Sequence, residues 1–320
     1  MRQGLEFVGI GEVIMDLFEN ASASLGGAPL NVVVHCHRLL NAFGLGSAVI
    51  VSAVGNDEFG RHIRASLSTE RIPADYLATS SLSTGSASVF VRNGEPGFEI
   101  AQNVAWDEIQ SSADLDVLAE RCDTVCFGSL AQRSPISRET IRRFLKRAER
   151  ALVLYDVNLR TNTLSGAKGY SREIVETSCC LATIIKANAD EIMEMGCLFG
   201  FAHGNTGSEN DICERMEFLL KEFPIRAVVV TRGARGAMLA TRDEQIVMPS
   251  ESFDRQVHPV GAGDAFSAGI MFGTSQKWPW HITLELACKM GSWVAHDPSD
   301  IPPLSPEISA FVAKNLSVTP

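Results

Sequence analysis

Residues 260–273 read VGAGDAFSAGIMFG. Gly261 and Gly263 free the backbone for a tight turn. Ala265, Phe266, Ala268, Ile270, Met271 and Phe272 then make the following turns apolar nearly all round, the pattern of a buried helix. The first helical turn holds a single charge, Asp264. A helix start leaves amide N–H groups unpaired and carries partial positive charge, so the amides around Gly261, Ala262 and Gly263 form a cradle for a phosphate. The same field is expected to keep Asp264 ionised, and an ionised carboxylate accepts a proton from an attacking hydroxyl. A simple acidic cap on a glycine turn is the other reading these residues allow, so the surrounding chain must decide.

From residue 124 to this turn, apolar runs alternate with helical patterns: TVCFGS, ALVLYDVN, ATIIKAN and AVVVTRG, each but the last followed by an amphipathic stretch. Strand then helix, repeated, implies an α/β fold with a parallel sheet covered on both faces. Ligands of such sheets bind beyond the carboxyl ends of the strands. Those ends carry Asp156, Asn158 and Arg160, then Asn188 and Glu191, then Thr231, Gly233 and Gly236. After Gly236, AMLATRDEQIVMPS reads as a hairpin.

Upstream, residues 6–10 and 13–18 read as two strands around Gly11-Glu12, with Asp16 among apolar neighbours in the second. SLGGAPLNVVVHCHRLLNAFG follows as a flexible Gly26-Gly27 turn and an apolar helix running to Phe43, with Asn31 in its opening turn. SASVFVRNGEPGFEIA at 86–101 reads as a hairpin that joins the Asp16 strand in a small sheet.

The 320 residues suffice for a substantial core, and 45% hydrophobic with 21% charged residues is ordinary globular composition. No apolar run approaches the ~18 residues of a membrane span, and the N-terminus enters a strand without a signal-peptide pattern, so a cytoplasmic protein is expected. Eight cysteines without C-x-x-C spacing, mostly in apolar segments, read as reduced core residues. His35-Cys36-His37 lies in a helical pattern where neighbouring side chains diverge, which disfavours a metal site. The net charge of −10 argues against a nucleic-acid surface, and the Arg/Lys face of residues 137–150 reads as solvated. There is no G-x-x-x-x-G-K-[ST] loop, and the early G-I-G has Ile14 where a dinucleotide fingerprint needs its third glycine.

GAGDAFSAG resembles the C-terminal signature of the PfkB/ribokinase family of sugar and nucleoside kinases, usually D-T-x-G-A-G-D-x-F, and GGAPLN resembles its N-terminal signature. The resemblance implies a ribokinase-like α/β fold: a central, mostly parallel sheet flanked by helices, with a small β lid. It also implies one kinase domain over 1–320, the lid being formed by roughly 12–19 and 84–103. Asp264 would be the catalytic base, and Gly261, Ala262 and Gly263 its anion hole. Asp16, Gly26, Gly27, Asn31, Asn158 and Arg160 would meet the sugar. Asn188, Thr231, Gly233 and Gly236 would meet ATP, with Glu191 near Mg2+.

GGAPLN and DVNLR are similar to fructokinase-like members, which points to phosphorylation of fructose at O6. Ribose, 2-keto-3-deoxygluconate or a nucleoside such as adenosine are the alternatives, and a sensor of sugar or nucleotide with impaired chemistry is another. The lid edges are compatible with a homodimer; no nucleic acid or membrane partner is expected. His258 and Pro259 replace the family's Asp-Thr and offer neither a carboxylate nor an N–H on Pro259, so weak or absent potassium activation is expected.

Overall fold

Strand β1 (Leu5–Ile10) stops at Gly11, and the chain continues as β2 (Ile14–Phe18) and the short β3 (Ser24–Gly26) before helix α1 (Ala28–Ala42). The 26–27 pair is thus a strand end and a helix cap rather than a flexible turn. Gly27 caps α1 at φ 107°, and a Cβ there would meet the Glu12 carbonyl oxygen at 2.6 Å, so only glycine fits. β4 (Gly46–Gly55), α2 (Glu58–Thr69), β5 (Leu77–Ser80), β6 (Gly85–Arg92) and β7 (Glu95–Ile100) follow.

The expected alternation then sets in. It runs α3 (Ala113–Arg121), β8 (Thr124–Gly128), α4 (Pro135–Arg147), β9 (Leu152–Asp156), α5 (Arg172–Leu181), β10 (Ile184–Asn188), α6 (Ala189–Leu198), α7 (Glu209–Glu222) and β11 (Ala227–Thr231). The predicted hairpin is β12 (Ala237–Ala240) and β13 (Gln245–Met248), and three helices close the chain: α8 (Ala262–Ser275), α9 (Trp280–Ala295) and α10 (Pro306–Leu316). The computed structural model describes residues 4–18, 23–92, 95–202, 208–251, 260–297, 299 and 301–317.

Nine strands form the large sheet in the order β13-β12-β11-β10-β9-β8-β1-β4-β5, parallel except for β12 and β13 at one edge. Side chains alternate across it. Val125 and Phe127 of β8 join the apolar layer under α3 to α7, while Cys126 joins the layer under α1, α8 and α9. Phe127 stacks on Tyr155 of the neighbouring strand with ring centroids 5.1 Å apart. Burying such a ring contributes about 1.5–3 kcal/mol. Ion pairs from Arg143 and Arg147 to Asp116, and from Arg142 to Glu173, account for much of the basic face of α4.

A separate four-stranded sheet has the order β3-β2-β6-β7, with β2 parallel to β6. It matches the expected small sheet, gains the unforeseen β3, and leaves residue 19 and the 93–94 turn outside the described residues. It is fastened at two points. Asp57, which caps α2, accepts hydrogen bonds from the Thr84 amide at 2.7 Å and the Thr84 hydroxyl at 2.6 Å, just before β6. On the far side residues 162–165 run along β7: the Asn162 amide group bonds both N–H and C=O of Ile100, and Thr163 N–H donates to Phe98 O at 3.0 Å. That edge of the small sheet is therefore covered, which removes it from the homodimer surface expected at the lid edges. β3 forms the other edge.

The cysteine reading holds in part. Cys36, Cys122, Cys126, Cys179 and Cys288 are buried, but Cys180 is exposed and Cys197 and Cys213 are half-buried. His37 uses its Nδ1 to accept from the Ala48 amide, a packing role inside α1.

Candidate active site

Strand order reverses at β1, with β4 on one side and β8 on the other, which opens a crevice beyond the carboxyl ends of the parallel strands. The start of α8 lies over these ends. Gly261 caps it in the left-handed region at φ 76°, and the first i→i−4 bond runs from Ala265 N–H to Gly261 O at 3.0 Å. The amides of Ala262 and Gly263 precede that bond, as the sequence reading requires of a cradle.

Asp264 is half-buried in this first turn and its carboxylate accepts from Asn31 Nδ2 at 2.8 Å, which joins the starts of α1 and α8. Burial and then the Asp156 charge push the Asp264 carboxyl up to about 7, against Asn31, Lys186 and Arg160, which lower it. Loss of hydration thus works against the ionised form that the helix start is expected to favour. The outcome suits proton transfer, because a base works best with a pKa near the operating pH.

The sequence reading marked Asp156 at a strand end without giving it a role, and it missed Lys186 and the burial of Glu12. Asp156 and Lys186, in register on β9 and β10, form a buried ion pair with Nζ 3.0 and 3.2 Å from the carboxylate oxygens, and Ser267 Oγ of α8 donates to Asp156 at 2.9 Å. Glu12, only 1% exposed, is raised to about 7 chiefly by burial, and its Oε2 has no hydrogen-bond partner. A charge inside an apolar strand run, as in IIKAN, is the signal that marks Lys186.

Asn188 and Glu191 form a capping box at the start of α6. Asn188 Oδ1 accepts from Glu191 N at 2.8 Å, and Glu191 Oε2 from Asn188 N at 2.9 Å. Glu191 Oε1 accepts from the Leu159 amide at 3.2 Å, and this holds the loop that carries Asn158, whose φ is 40°, and Arg160. Burial raises the Glu191 pKa despite the Lys186 charge. Each carboxylate oxygen keeps a second lone pair, so a hard divalent cation fits this side chain.

Asp16, Gly26 and Gly27 form a second patch on the small sheet. A Cβ on Gly26 would stand 2.2 Å from Asp16 Oδ2, so the carboxylate lies directly over that glycine. This patch reaches the first through Gly27, the cap of the helix that carries Asn31. Thr231, Gly233 and Gly236 make a third patch beside Asn188, with which Thr231 is in register; Gly233 and Gly236 have φ of 58° and 80°. His258 and Pro259 lie outside the described residues.

Residues 7–307 match the family model described as pfkB family carbohydrate kinase. A fructokinase of Klebsiella pneumoniae is 28% identical over 273 residues, covering 82% of this chain and 82% of its own. The aminoimidazole riboside kinase of Salmonella typhimurium is 26% identical over 279 residues, 85% of this chain and 81% of its own. A solved Escherichia coli structure, described as a ribokinase II with ATP and Mg2+, superposes with a TM-score of 0.76 at 20% identity, over 97% of this chain and 99% of that one.

Proposed function

The chain belongs to the pfkB family of carbohydrate kinases and has the ribokinase-like fold, and from that premise we propose that it moves the γ-phosphoryl of Mg·ATP to a sugar hydroxyl with Asp264 as base. Fructose O6 is the favoured acceptor. The observation that carries this reading is the Asp264 carboxylate in the first turn of α8, accepting from Asn31 Nδ2 at 2.8 Å, one residue beyond the adjacent Ala262 and Gly263 amides.

As the acceptor oxygen bonds to the γ-phosphorus, the bond to the ADP bridging oxygen breaks and the hydroxyl proton passes to the Asp264 carboxylate. The amides of Gly261, Ala262 and Gly263 receive charge that develops on the transferred group. Glu191 would hold the Mg2+, which when bound would offset polyphosphate charge, and Asn188, Thr231, Gly233 and Gly236 line the nucleotide side. Asp16, Gly26, Gly27 and Asn31 meet the acceptor, with Asn158 and Arg160 between it and the phosphate. Arg160 suits that place: its Nη1 donates to the Leu159 carbonyl at 3.2 Å, and five donors in a planar fork leave others to offer an anion.

We read the whole chain as one kinase domain, with the small sheet as a lid over the acceptor. We place the enzyme in the cytoplasm, consistent with eight cysteines as free thiols, and take the β3 edge as the surface for a homodimer. Because His258 and Pro259 replace the family's Asp-Thr, exchange of sodium for potassium should change the rate less than about two-fold.

The test is ADP release from Mg·ATP with fructose, ribose, 2-keto-3-deoxygluconate, adenosine or no acceptor. Acceptor-dependent release is expected, largest with fructose. Binding of ATP and a sugar without release for any of them would replace the kinase with a sensor.

A further inference from the structure

Asp156 and Lys186 have no part in the reaction as derived above. Both lie on the sheet face that supports α8, since their same-face neighbours Leu154 and Ile184 belong to the apolar layer beneath α1, α8 and α9. Asp156 is 2% exposed and Lys186 6%. Ser267, one turn along α8 from Gly263, donates to Asp156 and also to the Gly263 carbonyl at 3.0 Å. Lys186 Nζ lies 3.0 Å from the point that a Cβ on Gly263 would occupy.

A buried ion pair seldom stabilises a fold more than apolar side chains of the same volume, because both ions must leave water. The charges therefore need a reason other than packing, and their place supplies one. Lys186 stands directly behind the second residue of the helix whose first amides form the cradle.

We propose that Lys186 is a positioning residue for phosphoryl transfer. Held by Asp156 behind Gly263, its ammonium seats the first turn of α8 on the strand ends and places a permanent positive charge behind the amides that receive the transferred group. This rests on the kinase reading. The charged groups acting on it are Asp156 from β9, Glu191 from α6 and Asp264 from α8, while Arg160 from the loop after β9 acts on Asp264 and Glu191, and Asp264 and Asp156 act on Glu12 from the turn after β1. Burial works against the Lys186 charge, but Asp156, Glu191 and Asp264 outweigh it and its pKa is raised, so the ammonium is retained. It lowers the Asp264 pKa, whereas Asp156 raises it.

The experiment compares Asp156→Asn, whose amide oxygen can still accept from the Lys186 ammonium, with Asp156→Asn/Lys186→Met; the two differ only at Lys186. The double variant is expected to lose about 10–100-fold in kcat relative to the single one, with acceptor KM within about three-fold and a Tm no lower, as befits a charge acting on the transition state. Equal kcat in the two variants would leave the pair a packing device and overturn the proposal. Should the double variant not fold, Gly263→Ala presses a methyl on the ammonium without altering any charge. Its kcat is expected to fall about five-fold or more, and an unchanged kcat would overturn the proposal.

A readout independent of turnover is the carboxyl 13C titration of Asp264 in the ligand-free proteins, assigned with Asp264→Asn. Asp156→Asn should lower that pKa, and adding Lys186→Met should raise it again. No response to Lys186 would contradict the proposed coupling whether or not a sugar is phosphorylated. Absence of acceptor-dependent ADP release from the wild type would instead contradict the kinase reading.

Discussion

The start of α8 and the small sheet carry the two halves of the candidate site, yet they are held by different physics. α8 is apolar nearly all round and sunk in the core, with Ala265, Ile270 and Phe272 fully buried, and its first turn is tied by Asn31, Ser267 and the Asp156–Lys186 pair. The small sheet is four short strands, one of three residues, fastened through Asp57–Thr84 and by residues 162–165 along β7. The atoms that would react stand on buried elements, while Asp16 and Gly26, which would meet the acceptor beside Asn31, stand on a thin appendage. Reaction type is thus the property that packing over-determines, and acceptor choice the one that few contacts decide.

The comparison breaks hardest at the buried side. Gly261→Val forces a β-branched residue into the left-handed region, and the displaced amides should lower kcat about 10²–10³-fold while ATP still binds in calorimetry. On the thin side, Gly26→Ala drives a methyl into Asp16. The lost charged hydrogen bond should raise acceptor KM about 10–100-fold, and KM for ATP should move less than about two-fold. If both variants changed the same parameter, the division between the two regions would fail.

A smaller effect comes from titration. In the proposed mechanism the working form of Asp264 is the carboxylate, so kcat/KM should rise with pH, about ten-fold per unit below pH 7, and level off above it. The sign for stability is opposite. The folded protein keeps the protons of Asp264 and Glu12 up to about pH 7, whereas the unfolded chain gives up those of ordinary carboxyls near 4, so these groups make stability fall as pH rises through that window. Asp264→Asn should therefore melt a few degrees above the wild type at pH 8 and by less at pH 5, read by calorimetry. The smallest effect is expected from Asn162→Ala. It frees β7 at Ile100 and should raise acceptor KM about two- to five-fold, with faster hydrogen exchange at Ile100.

Much of this was legible in the sequence for a physical reason. Buried parallel strands must be continuous apolar runs, so β8 to β11 and the hairpin after Gly236 stood out, and the polar groups at their ends marked the crevice. β3 was hidden because three residues carry no period. α10 was hidden because it follows a proline-rich loop without an apolar stripe long enough to announce it. The Asp156–Lys186 pair depends on the register of two strands, and the raised pKa of Asp264 depends on which charges the fold brings near it, and neither is written locally in the chain. In the proposed reading the acceptor depends on the shape of the small sheet, so a motif such as GGAPLN narrows it without fixing it.

The most direct test of the account is steady-state turnover by Asp264→Asn beside the wild type, with ATP and the best acceptor, and ligand affinities measured by calorimetry. The account predicts a loss in kcat of about 10³-fold or more with both dissociation constants within about three-fold of wild type. A variant that keeps kcat within about ten-fold would contradict Asp264 as the base and with it the proposed mechanism.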